Sequence, residues 1–351
     1  MDPRSCELIE KLGETRCLEL HEYEHLVSHM NAEVARFAAE RALRARKAVY
    51  GNGVFTRGLI EVSNFCKNDC LYCGIRRSNR SCHRYRLAVD QILACADVGY
   101  EVGFRTFVLQ GGEDPWFTDE RVCDCVRRLK QRHPDCAVTL SLGERSPESY
   151  QALREAGADR YLLRHETATP GHYARLHPAD MSWDARMACL YSLREAGFTV
   201  GCGFMVGSPF QTPADLAADL KFIETFAPEM CGIGPFIPHH ATPFAAEPAG
   251  TVDMTCFLLS LLRIMQPNLL LPATTALGTA DPFGREKGML AGANVVMPNL
   301  SPQDVRQDYE LYDDKVSTGG ESAEGLNELA ERMVAIGFEL LVDRGDPRPM
   351  K

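Results

Sequence analysis

Between residues 5 and 50 apolar positions recur at helical spacing, with Val34, Phe37, Ala38, Ala45 and Ala48 on one stripe, and the Gly51-Asn52-Gly53 turn stops the last helix. Beyond that turn the pattern changes. Short apolar runs at 59–63, 106–110, 137–142, 160–164, 198–205, 231–236, 269–274 and 294–297 read as strands. Amphipathic stretches at 89–98, 119–132, 147–156, 181–196 and 212–226 lie between them, several followed by the glycine expected after a helix. Eight strands alternating with helices over roughly 250 residues predict an α/β fold, a (β/α)8 TIM-type barrel with an N-terminal helical extension. A doubly wound open sheet is the rival. The barrel is favoured because polar residues close nearly every strand (Asn64, Gln110, Ser141, Arg164, Thr274, Thr275 and Asn299), whereas an open sheet would gather them at one switch point. The expected units are a helical extension at 1–53, the barrel at 54–300 and a segment at 301–351 that closes it.

Charge narrows the partners. Among 351 residues, 48 acidic against 38 basic side chains give a formal charge of −10, which disfavours nucleic acid and anionic membranes. No apolar run reaches the roughly 18 residues of a membrane span. The opening MDPRSCELIEKLGE is charged and helical rather than signal-like, so a cytoplasmic location is expected.

The 14 cysteines do not read as a disulfide framework. Cys95, Cys189, Cys202 and Cys231 sit singly in apolar patterns, as reduced core residues do. Cys123 and Cys125, two apart on a helix, point to different faces. Only Cys66, Cys70 and Cys73 have chemical spacing, C-x3-C-x2-C in a loop after the first predicted strand. Three soft thiolates suit an iron–sulfur cluster and would leave the fourth iron of a 4Fe-4S cluster open for chemistry. The alternative is a structural zinc, which needs a fourth ligand, Cys82 or His83 being nearest.

This motif, with Tyr72 before its last cysteine and in the first βα loop of a barrel, resembles the radical SAM superfamily. The resemblance implies one 4Fe-4S cluster on Cys66, Cys70 and Cys73 and S-adenosylmethionine cleaved to methionine and a 5′-deoxyadenosyl radical. Gln110-Gly111-Gly112-Glu113 after the second strand resembles the motif that meets the methionine ammonium. Glu166 resembles the ribose contact and Arg186 the methionine-carboxylate contact. Tyr72, Thr139 and Ile237 complete the cofactor-binding set that the resemblance assigns.

Within the superfamily the chain is similar over nearly its full length to the FeFe-hydrogenase maturases of the HydE family, and less so to methylornithine synthase and biotin synthase. The strings 70–74, 138–144, 159–167, 232–239, 272–276 and 292–299 carry the match. The implied substrate is a small organometallic one, a cysteine-bound iron dicarbonyl cyanide complex, used in assembling the diiron subsite of the H-cluster. The expected chamber for it is lined by Ser141, Arg160, Arg164, Met230, Thr274, Thr275, Met297, Tyr309 and Tyr312, with Thr139 at its edge. Some members carry a second cysteine trio near the C-terminus. Here 315–325 reads KVSTGGESAEG, so no second cluster is expected. His239 and His240 either line the site or serve the surface. The implied partners are a ferredoxin or flavodoxin as electron donor and a maturation scaffold protein, with the chain itself a monomer. The alternatives are another radical SAM enzyme, such as a methylornithine synthase acting on lysine, and a zinc-stabilised scaffold without catalysis.

Overall fold

The computed structural model describes residues 2–349. Eleven strands are described, all pairing in parallel: β1 Gly53–Thr56, β2 Gly58–Ser63, β3 Thr106–Gly111, β4 Ala137–Ser141, β5 Arg160–Leu162, β6 Thr199–Cys202, β7 Met205–Val206, β8 Met230–Cys231, β9 Gly234–Pro235, β10 Val295–Val296 and β11 Glu339–Leu341. Six of them form one sheet in the order β2-β3-β4-β5-β6-β8. Single parallel bridges complete the ring: Met230 to Leu270, Pro272 to Val295, and Asn299 back to Leu59. The barrel of eight staves is therefore present, with its seventh reduced to bridges. Pro272 lacks the N–H that a continuous ladder would need there.

Other staves depart from expectation for local reasons. The predicted strand at 198–205 breaks at Gly203, whose φ is +156° and whose missing Cβ would strike the Gly232 carbonyl. β1 and β11 were absent from the sequence reading. They pair with each other, and β1 pairs with β10, so the C-terminal segment reaches the end of the barrel opposite the cysteine loop as well as its mouth.

The helix Ala32–Tyr50 packs on the helix Val252–Met265 and buries Val34, Ala38 and Ala42. Its buried stripe continues to Arg46 and Tyr50, whereas Ala48 is exposed. Arg46 turns the stripe because its guanidinium donates to the carbonyls of Ala293, Gly51 and Gly53 (2.9, 2.6 and 2.7 Å), satisfying chain ends that would otherwise be orphaned.

Arg160, expected in the substrate chamber, lies at the start of β5, the end away from the cysteine loop. It is fully buried, donating to Thr106 Oγ1, the Arg344 carbonyl and Asp346 (3.1, 2.8 and 2.6 Å), and it ties the C-terminal segment under the barrel. Arg160→Leu should thus lower folding stability by about 2 kcal/mol, from lost charge-assisted hydrogen bonds, and leave S-adenosylmethionine affinity unchanged. Denaturant midpoints and calorimetry check both halves.

Candidate active site

At the C-terminal ends of the strands the barrel opens into a cavity of about 340 Å³, within the range of small-ligand sites. Its wall includes every sequence-predicted site residue except Arg160. His239 and His240 are not on it. His240 is mostly exposed and holds Asp313 at 2.7 Å, and His239 is buried beside it.

The cysteine loop leaves β2 with its backbone under control. Gly74 N–H donates to the Leu311 carbonyl (2.8 Å) and Leu71 N–H to that of Leu176 (2.9 Å). Asp69 is fixed by Arg76 (2.7 Å) and the Ser78 N–H (3.0 Å). Burial pushes all three thiols up, Cys73 to about 12 and Cys70 well above the ordinary range, with repulsion from the other thiols adding to it at Cys70 and Cys73. Three thiols in such surroundings become thiolates only when a bound cation compensates them. The three Sγ atoms do not all lie within 4.8 Å of one another. Thiolates sharing one zinc ion at about 2.3 Å would sit about 3.8 Å apart, whereas in an iron–sulfur cluster each thiolate takes its own iron. The donor set fits the cluster and not zinc. His83, a possible fourth ligand, is instead an exposed partner of Asp308.

Beside the loop, Gly112 is required by crowding: a Cβ there would meet the Phe65 carbonyl. Glu113 and Glu144 converge on Arg186, whose Nη2 is 3.3 Å from one and whose Nε is 2.7 Å from the other. Burial works against the guanidinium charge, and the two carboxylates more than offset it. Glu144 itself is raised by burial. In the sequence it is marked only as the last residue of the string 138–144. Gly143 has φ +77°, and a side chain there would collide with Glu113.

Across the cavity Glu166 has φ +66°, a left-handed conformation that costs a non-glycine residue about 1–2 kcal/mol. Arg164 Nη2 lies 3.2 Å from Glu166 Oε2 but off the hydrogen-bond direction, so both atoms keep bonding capacity. Thr139 Oγ1 and Thr274 Oγ1 are likewise buried without a protein partner. Such atoms are costly unless a ligand meets them.

Arg57, just before β2, is a cavity residue that the sequence did not reveal. It lines the cavity, is only 5% exposed, and its Nε and Nη2 have no partner, while Nη1 faces Met230 Sδ at 3.3 Å. Burial, helped by the nearby Arg160 charge, pushes its pKa well below the arginine range. An arginine between a glycine turn and a strand carries no motif that would have revealed it.

A strap over the mouth completes the chamber. Lys315 donates to Glu61 Oε1 (2.5 Å) and to the Tyr309 carbonyl (2.9 Å), and Asn299 donates to Glu61 Oε2 (2.8 Å).

Behind the cysteine loop, Tyr72 O–H donates to His177 Nε2 (3.3 Å), and His177 Nδ1–H donates to the Tyr173 carbonyl (3.0 Å), which fixes the neutral tautomer. Burial holds the His177 pKa down to about 4, against about 6.5 when unfolded. The unfolded chain therefore binds one more proton between these values. The contribution to stability is complete above pH 6.5 and is lost as pH falls to about 4, about 3 kcal/mol over the window. Denaturant titrations at several pH values should give a slope smaller by one proton in His177→Gln.

The model of the radical SAM superfamily matches residues 60–223. The chain is 46% identical over 271 residues to the FeFe hydrogenase maturase subunit HydE of Thermotoga maritima, covering 77% of each chain. It is 27% identical over 274 residues to 3-methylornithine synthase of Methanosarcina barkeri, covering 78% of this chain and 77% of the relative. Among solved structures, that of a methylornithine synthase superposes with a TM-score of 0.82 at 24% identity, over 95% of this chain and 97% of the other, a likeness of fold.

Proposed function

The chain belongs to the radical SAM superfamily and, within it, to the HydE family of FeFe-hydrogenase maturases, and from that premise we propose how its cavity divides the work. When bound, the 4Fe-4S cluster and S-adenosylmethionine supply a one-electron reductive cleavage that yields an adenosyl radical. Cys66, Cys70 and Cys73 hold three irons and leave the fourth to the methionine end of S-adenosylmethionine. Glu113 and Glu144 fix Arg186, which presents its guanidinium to the methionine carboxylate. Glu166 accepts from the ribose hydroxyls, and Gln110, Gly111, Gly112, Thr139, Tyr72 and Ile237 shape the rest of that half.

The inner half takes the substrate, a cysteine-bound iron dicarbonyl cyanide complex. The observation that carries this is the pair of incompletely satisfied guanidiniums, Arg57 and Arg164, with the bare Thr274 hydroxyl in a cavity whose wall also holds Met230, Met297, Tyr309 and Tyr312. An anionic complex with an apolar carbonyl face needs both kinds of wall. Ser141 and Thr275 add hydroxyls. An electron donor of the ferredoxin or flavodoxin type, a scaffold receiving the product, a monomeric state and a cytoplasmic location belong to the same reading. No described helix is long and apolar enough to cross a membrane.

A second reading, a methylornithine synthase acting on lysine, is favoured by the 27% relative. The two separate in one incubation. Cluster-loaded protein with S-adenosylmethionine and reductant should consume the iron complex and leave lysine unchanged. Methylornithine from lysine, with the complex untouched, would reverse the choice.

A further inference from the structure

We infer that His165 and Asp219, neither of which reaches the cavity, are positioning residues that hold Glu166 in its ribose-binding pose. The inference rests on the reading of Glu166 as the ribose contact.

The strained residue is clamped on both sides. Asp219 lies in the helix Pro213–Phe226, whose start is fixed by Thr212 and Asp215 capping each other and by Pro213 in the first turn. It is fully buried. One of its oxygens, Oδ1, meets His165 Nε2 at 3.1 Å and accepts from the Ala168 N–H at 2.6 Å, so a single atom brackets Glu166 from before and after. His165 Nδ1 accepts from the Gly203 N–H at 3.3 Å, so its proton is on Nε2 and points at Asp219. The Gly203 carbonyl accepts from the Glu166 N–H at 3.0 Å. Glu166 N–H, Gly203, the His165 ring and Asp219 thus form one closed circuit around a left-handed residue, with His165 and Asp219 fully buried and the Phe222 ring 4.8 Å from that of His165. A non-glycine residue keeps positive φ only where its surroundings over-determine it.

Asp219 Oδ2 has no partner. Burial pushes this carboxyl well above the usual carboxylate range, so an amide replaces it with little loss. A positioning role therefore differs from plain core packing in what rescues it.

The test is S-adenosylmethionine affinity of the cluster-loaded protein, measured by calorimetry for Asp219→Asn, Asp219→Ala, Glu166→Gln and the double variant Asp219→Ala/Glu166→Gln. Asp219→Asn should bind within about twofold of wild type and Asp219→Ala roughly tenfold more weakly, and the double variant should bind no more weakly than Glu166→Gln alone. Losses that multiply in the double variant, or an unchanged Asp219→Ala, overturn the inference. Unchanged affinity in Glu166→Gln is a separate result, overturning the ribose reading and the inference with it. If Asp219→Ala does not fold, His165→Gln takes its place in the same cycle, and multiplying losses there overturn the inference equally.

Discussion

Cys70→Ser should abolish reductive cleavage of S-adenosylmethionine while leaving the barrel folded. The thiol side chain is not part of the main apolar core, and its sulfur lies 3.8 Å from Met181 Sδ. Losing one sulfur should therefore change stability by less than about 1 kcal/mol in the metal-free chain. In the loaded protein the loss is chemical. Two thiolates cannot hold three irons of a cluster, and a serine hydroxyl is a hard, protonated ligand at neutral pH. Iron content, 5′-deoxyadenosine formation and metal-free thermal unfolding together check this. 5′-Deoxyadenosine at the wild-type rate in the variant would remove the cysteine loop from the reaction.

Arg57→Met should raise stability. A guanidinium with two unpartnered nitrogens, walled in by Met230 and with Arg160 adding like charge, raises the free energy of the empty fold. Replacing even a buried ion pair by apolar side chains of similar volume is often neutral or stabilising by about 1–4 kcal/mol, and Arg57 has no paired carboxylate to lose. The variant should therefore unfold at a higher temperature, yet process the iron complex at least tenfold more slowly, because the anionic ligand loses its cation. S-Adenosylmethionine cleavage without substrate should persist, since Arg57 is not in the cysteine loop. Stability gained with activity kept would mean that Arg57 meets no ligand; stability lost would mean an unseen partner. Sites of this kind trade folding energy for binding.

The parts of this molecule legible in the sequence were those written in local pattern. The apolar runs marked the staves β2 to β6, β8 and β10, and the cysteine spacing marked the loop that follows β2. The seventh stave was overcalled because an apolar run around Pro272 looks like a strand until its missing N–H is counted. β1 was missed because Arg57 separates its four residues from the apolar run at 59–63, and β11 because it opens on the exposed Glu339 and is otherwise only half-buried. Arg160 and Arg164 show the limit most plainly. They are four residues apart, yet one is at the start of β5 and anchors the chain terminus, while the other lies past its end and lines the cavity. Composition alone gives both the same meaning. Arg57, Glu144 and the Glu61–Lys315 pair acquire theirs only from what the fold places beside them. The segment 315–325 read as a stretch without cysteines, whereas its first residue closes the chamber.

If this protein is a radical SAM maturase whose cavity joins cofactor to organometallic substrate, anaerobic hydrogenase maturation reconstituted with and without it should show the dependence. Hydrogenase activity should depend on the wild-type protein and be absent with Cys70→Ser. Failure of the wild type to support activation, with S-adenosylmethionine cleavage intact, would contradict it.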